Sequence, residues 1–170
     1  MGRKAINIIG NKYGKLTVIK KGYSVIKKLY WVCECECGEL CYVTSPELRR
    51  GRVNFCKKCN TEKSKKSALL ILYNQYKKGS IKRGYKFELT LNDFNKIIKE
   101  NCFYCGIEPK QNYHKKGMRY GIIYNGIDRQ DNNIGYDLDN CVPCCKFCNL
   151  AKSRFSLDEF IEWIEFLKIN

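Results

Sequence analysis

Twelve cysteines in a chain of 170 residues fall into four clusters instead of scattering. Cys33, Cys35, Cys37 and Cys41 stand together, and Cys56 and Cys59 follow. Later come Cys102 and Cys105, then Cys141, Cys144, Cys145 and Cys148. A tetrahedral zinc ion takes four thiolates from two tight turns, and Cys-x2-Cys supplies them in pairs. Two pairs of clusters therefore predict two structural Zn²⁺ sites. In the second half, Cys102 and Cys105 are expected to pair with Cys145 and Cys148. Cys141 and Cys144 have the same spacing, but they sit where a strand entering a knuckle would bury small apolar groups. In the first half, Cys56 and Cys59 are one clean pair, and "CECECG" lies opposite. Gly38 favours Cys37, since a knuckle needs a small residue to let backbone amides face the sulfurs. Cys35 is expected as the fourth ligand, with Cys33 as its rival.

These thiols need elements to carry them. "YGKLTVIKKGYSVIKKLYWVCECECG" alternates apolar and polar residues as short strands do, and "CYVTS" reads as another strand. "SPELRRG" predicts a short helix, and "TEKSKKS" a polar connector. "ALLILYNQYKKGSIKRG" predicts a helix with Leu69, Leu72, Tyr73 and Tyr76 on one face. Thr90 and Asp93 have capping-box-like spacing ahead of Phe94, Ile97 and Ile98. "RYGIIYNGIDR" reads as one strand and "NNIGYDLDN" as a polar loop. Ser156 and Glu159 open a last helix, whose stripe of Phe160, Trp163, Ile164 and Leu167 is expected to pack into the core. The expected fold class is α+β, in three parts. Residues 1–62 form a small β-rich zinc module, 63–100 a basic helical connector, and 101–170 a second zinc-knuckle domain closed by a helix.

Charge separates these parts. Residues 1–67 hold 16 Lys and Arg against 5 Asp and Glu, residues 68–100 hold 7 against 3, and residues 101–170 hold 9 against 9. The total of +15 predicts a polyanion partner, and nucleic acid fits better than a membrane. No apolar run approaches the ~20 residues that span a bilayer. The N-terminal residues carry no secretory pattern. Free thiols suit a reducing compartment, so a soluble intracellular protein is expected.

"GIDRQDNNIGYDLDNCVPCCKFCNLAK", together with "YNQYKKGSIKRGYKFELTLNDFNKIIKENCFYCG", resembles the phage HNH endonucleases that carry a zinc-stabilised ββα-metal motif. The resemblance covers about residues 70–165. The N-terminal "YGKLTVI…WVCECECG…ELRRG…CKKC" is similar to a zinc-binding module that accompanies phage endonucleases and helps them hold DNA. The resemblance implies metal-dependent hydrolysis of phosphodiesters in double-stranded DNA, in a phage or homing setting. It also implies host cytoplasm as the location if the chain is phage-encoded.

In that family a strand delivers Asp-His, where the aspartate binds a divalent metal and the histidine activates water. Those positions are Asp128 and Arg129 here. The middle asparagine falls on Asn140, and the last metal position falls on Asn149, a ligand type that a phage Holliday-junction resolvase of the same superfamily also uses. One aspartate and one asparagine suit hard Mg²⁺ or Mn²⁺. Arg129 departs from the pattern, because guanidinium stays protonated and cannot take a proton from water. It can clamp the scissile phosphate and stabilise developing charge. The proton acceptor is then Asp131, Tyr124, Tyr136 (one HNH restriction enzyme uses tyrosine) or the substrate phosphate. His114 is expected at the surface. Lys146, Lys152 and Arg154 are expected to touch phosphates.

Overall fold

The computed structural model describes residues 6–114, 116 and 120–169, the side chains of 168 and 169 excepted. The chain divides into two compact units, Met1–Lys63 and Ser64–Asn170. The fold is α+β in both.

The first unit is a four-stranded antiparallel sheet in the order β1 (Lys12–Tyr13), β2 (Leu16–Val25), β3 (Lys28–Cys35) and β4 (Leu40–Thr44), followed by helix α1 (Ser45–Arg49). Alternation along β3 sends Trp31, Cys33 and Cys35 to one face, where Leu16, Val18, Val43 and Leu48 complete the core. The β2–β3 hairpin turns through Ile26 and Lys27 at φ 44 and 62, a geometry that favours Asn-Gly. Ile26 stands 89% exposed at that tip.

Helix α2 (Lys57–Lys82) carries the boundary between the units within its length. It includes the "TEKSKKS" stretch read as a connector. No proline or glycine interrupts that stretch, so the helix that begins at Lys57 runs on through it. In the second unit, Leu72 joins Phe94, Ile97 and Ile98 around α3 (Leu91–Ile97), and Leu89, Ile127, Tyr136 and Cys141 close this core. Residues 63–100 thus supply much of the second unit's interior. Thr90 caps α3 by accepting the Asp93 N–H.

The segment read as a single strand is two. β6 (Ile122–Tyr124) pairs with β5 (Gln111–Tyr113), and β7 (Gly126–Arg129) pairs with β8 (Cys141–Cys144), in separate two-stranded sheets. Asn125 makes the break. It is buried, its Nδ2 donates to the carbonyls of Glu100 and Ile107, and its N–H donates to Ile98. Helices α4 (Lys146–Lys152) and α5 (Leu157–Ile169) follow. Ser156 and Glu159 form the expected reciprocal cap of α5. Its stripe is not uniformly core, however: Phe160 is buried, while Trp163 and Leu167 are 44% and 53% exposed.

Candidate metal centres and active site

Each unit gathers four sulfurs. Those of Cys35, Cys37, Cys56 and Cys59 all lie within 4.8 Å of one another, as do those of Cys102, Cys105, Cys145 and Cys148. Cys33 lies buried outside the first quartet. The Sγ–Sγ separations are 3.9 Å for Cys35–Cys59, 3.5 Å for Cys37–Cys56 and 3.8 Å for Cys105–Cys145. Tetrahedral zinc–sulfur bonds of about 2.3 Å place ligand sulfurs about 3.8 Å apart, whereas a disulfide needs about 2 Å. The quartets therefore fit Zn²⁺ and could hold it.

The local backbone explains why these turns form. Gly38 and Gly106 each follow a quartet cysteine at φ 84 and 70, and each donates its N–H to the carbonyl of the preceding quartet member, Cys35 or Cys102. A side chain at positive φ would strain the turn. Cys56 and Cys145 precede α2 and α4, and each sulfur accepts the N–H three residues on, at 3.4 Å. Burial raises the Cys35 and Cys102 thiols, but hydrogen bonds from surrounding backbone and neighbouring cysteines outweigh it and bring both to about 7. Burial instead pushes Cys141 up to about 12, and Cys144 is raised too. Those two behave as neutral buried thiols, in keeping with their exclusion as ligands.

Strands β7 and β8 with α4 make a ββα unit on the second quartet. Asp128, in β7 opposite Val142, is 7% exposed. Its Oδ2 accepts the Tyr104 hydroxyl at 2.7 Å and faces the Lys152 ammonium at 3.2 Å. Lys152 is wholly buried and also donates to the Arg129 carbonyl at 2.9 Å. The expectation that Lys152 touches phosphate is thereby corrected: its charge is spent inside the protein. Lys152 lies seven residues after Cys145 and four after Cys148, which puts it on the inward face of α4, a signal the sequence contained. Tyr104, inside the "CFYC" knuckle, is a second partner of Asp128, one that no local spacing points to.

Arg129 is half-buried. Its NH1 donates to the carbonyls of Asn132 and Ile134 at 2.9 and 2.8 Å, and its guanidinium lies 3.8 Å from the Tyr85 ring centroid. Successive strand residues point to opposite faces, so Asp128 meets Tyr104 and Lys152 while Arg129 meets Tyr85. Asn140 is buried and locks the same loop. It accepts from the Asp131 N–H and donates to the carbonyls of Asp131 and Gly135. Asn149 is exposed on α4, three residues before Lys152 and hence on a neighbouring part of the same helix face.

The remaining candidates separate by environment. The Tyr136 hydroxyl accepts from Arg83 NH2 at 3.0 Å, and burial raises the Tyr124 phenol. Asp131 is exposed, as is His114. A cleft of about 500 Å³ beside the loop is lined by Asp131, Asn132, Asn140 and Arg154, among others.

No family model matches the chain. An uncharacterized protein of Acanthamoeba polyphaga mimivirus is 39% identical over 89 residues, which cover 52% of this chain and 15% of that protein. A Bacillus subtilis protein, YoqL, provisionally named as an HNH endonuclease derived from the SPbeta prophage, is 31% identical over 61 residues. That match covers 35% of this chain and 26% of YoqL. Both matches thus span a minor share of the relatives' length. Among solved structures, the HNH restriction endonuclease PacI aligns at 24% identity and a TM-score of 0.43, over 79% of this chain and 92% of its own. The chain resembles HNH-type nucleases.

Proposed function

We propose that this chain is a metal-dependent DNA endonuclease that hydrolyses phosphodiester bonds in double-stranded DNA, by nicking or by cutting both strands. The setting would be a phage or homing one. The observation that supports this reading most is the ββα unit on the second quartet, which puts a carboxylate on β7 and an amide on α4 beside one zinc knuckle. Asp128 and Asn149 would hold Mg²⁺ or Mn²⁺, which supplies Lewis-acid stabilisation of charge on the phosphate. A carboxylate carries about four lone-pair sites, and both contacts of Asp128 fall on Oδ2, so Oδ1 is the oxygen for the cation. Tyr104 and Lys152 fix the carboxylate's orientation. Asn140 and Arg129 would serve the site by bracing the loop that follows β7, since Arg129 faces Tyr85 on the side of the strand away from Asp128. Burial raises the Tyr124 phenol, which therefore keeps its proton at neutral pH, and Tyr136 is buried in the second unit's core, away from an attacking water. Asp131 or the substrate phosphate is the better acceptor. Basic residues such as Arg49, Arg50, Lys77 and Lys78 would hold the duplex. With ~6 phosphates neutralised, affinity falls roughly 10³-fold over a fourfold rise in salt.

Two observations favour a second reading, a non-catalytic zinc-containing DNA-binding protein. Lys152 already compensates the Asp128 charge, and Arg129 NH1 is committed to loop carbonyls. Incubation of purified protein with supercoiled plasmid and Mg²⁺ or Mn²⁺ distinguishes the two. The nuclease reading expects relaxed or linear DNA with the wild type and at least a tenfold loss with Asn149→Ala. That residue is exposed, so the fold should survive. Intact plasmid with the wild type would leave the binding reading.

A further inference from the structure

On the sheet face opposite the first unit's core, Tyr23, Tyr30 and Tyr42 form a cluster. The Tyr23 ring stacks on Tyr30 with centroids 5.1 Å apart and planes 23° from parallel, and it lies 5.1 Å from Tyr42. Core-facing Trp31, Cys33 and Cys35 occupy the odd positions of β3, so Tyr30 and Val32 point the other way. Tyr42 pairs with Val32 and shares that face. Tyr23 reaches it because of a register shift. β2 slips by one residue between Lys21, opposite Trp31, and Ser24, opposite Leu29. Without the slip Tyr23 would stand opposite Leu29 and point to the core side. A bulge that re-aims a side chain is a feature to be explained rather than a defect. Gly22 sits in it, and a Cβ there would come 2.7 Å from the Tyr30 carbonyl oxygen.

The cluster is open to solvent, with Tyr23 50% and Tyr42 54% exposed. Lys20, opposite Val32, and Lys28, two residues before Tyr30 on the same strand, share the face. Both are exposed. The surrounding residues 1–67 hold 16 basic against 5 acidic side chains. Ring faces flanked by ammonium groups suit a ligand with flat π-systems on an anionic backbone. A DNA duplex keeps its base faces stacked on one another and presents none to a protein, whereas unpaired nucleotides present every one.

We propose that the Tyr23–Tyr30–Tyr42 face binds unpaired nucleotides, with the bases on the rings and the phosphates near Lys20 and Lys28. The first unit then holds single-stranded nucleic acid, whether or not the second unit cleaves. The experiment is fluorescence-anisotropy titration of the zinc-loaded full chain with labelled oligo-dT, oligo-U and a duplex of mixed sequence. Tyr23→Leu and Tyr42→Leu should each weaken oligo-dT binding about tenfold, while Tyr→Phe at either site restores it and duplex affinity stays within twofold. Comparable losses for oligo-U extend the platform to RNA. Single-strand affinity unchanged by the leucine variants, or lost equally for duplex, overturns the proposal. Should those variants fail to fold, photo-crosslinking of the wild type to 5-iodouracil-substituted oligo-dT decides. Crosslinks at Tyr23, Tyr30 or Tyr42 support the platform, and crosslinks only elsewhere refute it.

Discussion

In the first unit Gly38 follows Cys37 at positive φ and the Cys56 sulfur accepts an amide at the start of α2; in the second, Gly106 follows Cys105 and the Cys145 sulfur does the same for α4. The two frames are alike, and what they support differs. Among the described residues the first unit buries one polar side chain, Thr44, whereas the second buries Ser80, Asn125, Asp128, Asn140 and Lys152. A buried charge is tolerated only when paired and hydrogen-bonded, so it marks a place where the chain keeps polar chemistry at a cost to stability. The quartet is common to both units and so does not distinguish them. The buried charges distinguish the unit with the candidate active site from the first unit.

Removing metal should erase the difference by unfolding both units. Apparent Zn²⁺ binding contributes about 10 kcal/mol or more in small thiolate sites, so chelation should abolish the far-UV signal of folded protein. Cys59→Ser and Cys148→Ser should each loosen its own unit, as limited proteolysis would map. Thiolates are the ligands, so zinc release should grow as pH falls.

Breaking the buried pair should affect the second unit next most strongly. Lys152→Met leaves Asp128 buried without its ammonium and should cost about 3–5 kcal/mol in urea denaturation. Adding Asp128→Asn should recover most of that loss, because the uncompensated charge is gone.

Smaller effects are expected in the first unit. Ile26→Asn with Lys27→Gly should relieve the left-handed hairpin tip and raise stability by about 1–2 kcal/mol. Thr44→Ala should cost about 1 kcal/mol, since Thr44 donates its N–H and hydroxyl to the Glu47 carboxylate. Those bonds, the hydroxyl first, hold Glu47 below its ordinary pKa. The cap is therefore intact at neutral pH and is lost as pH falls through that lowered value.

The grouping of cysteines and the caps at Thr90 and Ser156 were legible in the sequence because each is a local spacing set by one turn. Asn125 was not, since "RYGIIYNGIDR" has the alternation of one strand and the break depends on carbonyls at Glu100 and Ile107, far away in sequence. Lys152 reads as a surface cation by composition. Only the fold, which brings Asp128 opposite the inward face of α4, turns it into a buried partner. The exposed rings of α5 show the converse, as a 3.6-residue stripe specifies a helix but not how much of it is covered.

The central claim, that Asp128 and Asn149 share one divalent cation, is tested most directly by electron paramagnetic resonance titration of Mn²⁺ into zinc-loaded protein with a short DNA duplex. The account predicts one Mn²⁺ bound beyond the zinc sites by the wild type, and binding weakened at least tenfold in Asn149→Ala. Mn²⁺ uptake unchanged by that substitution, or absent from the wild type with DNA present, would contradict it.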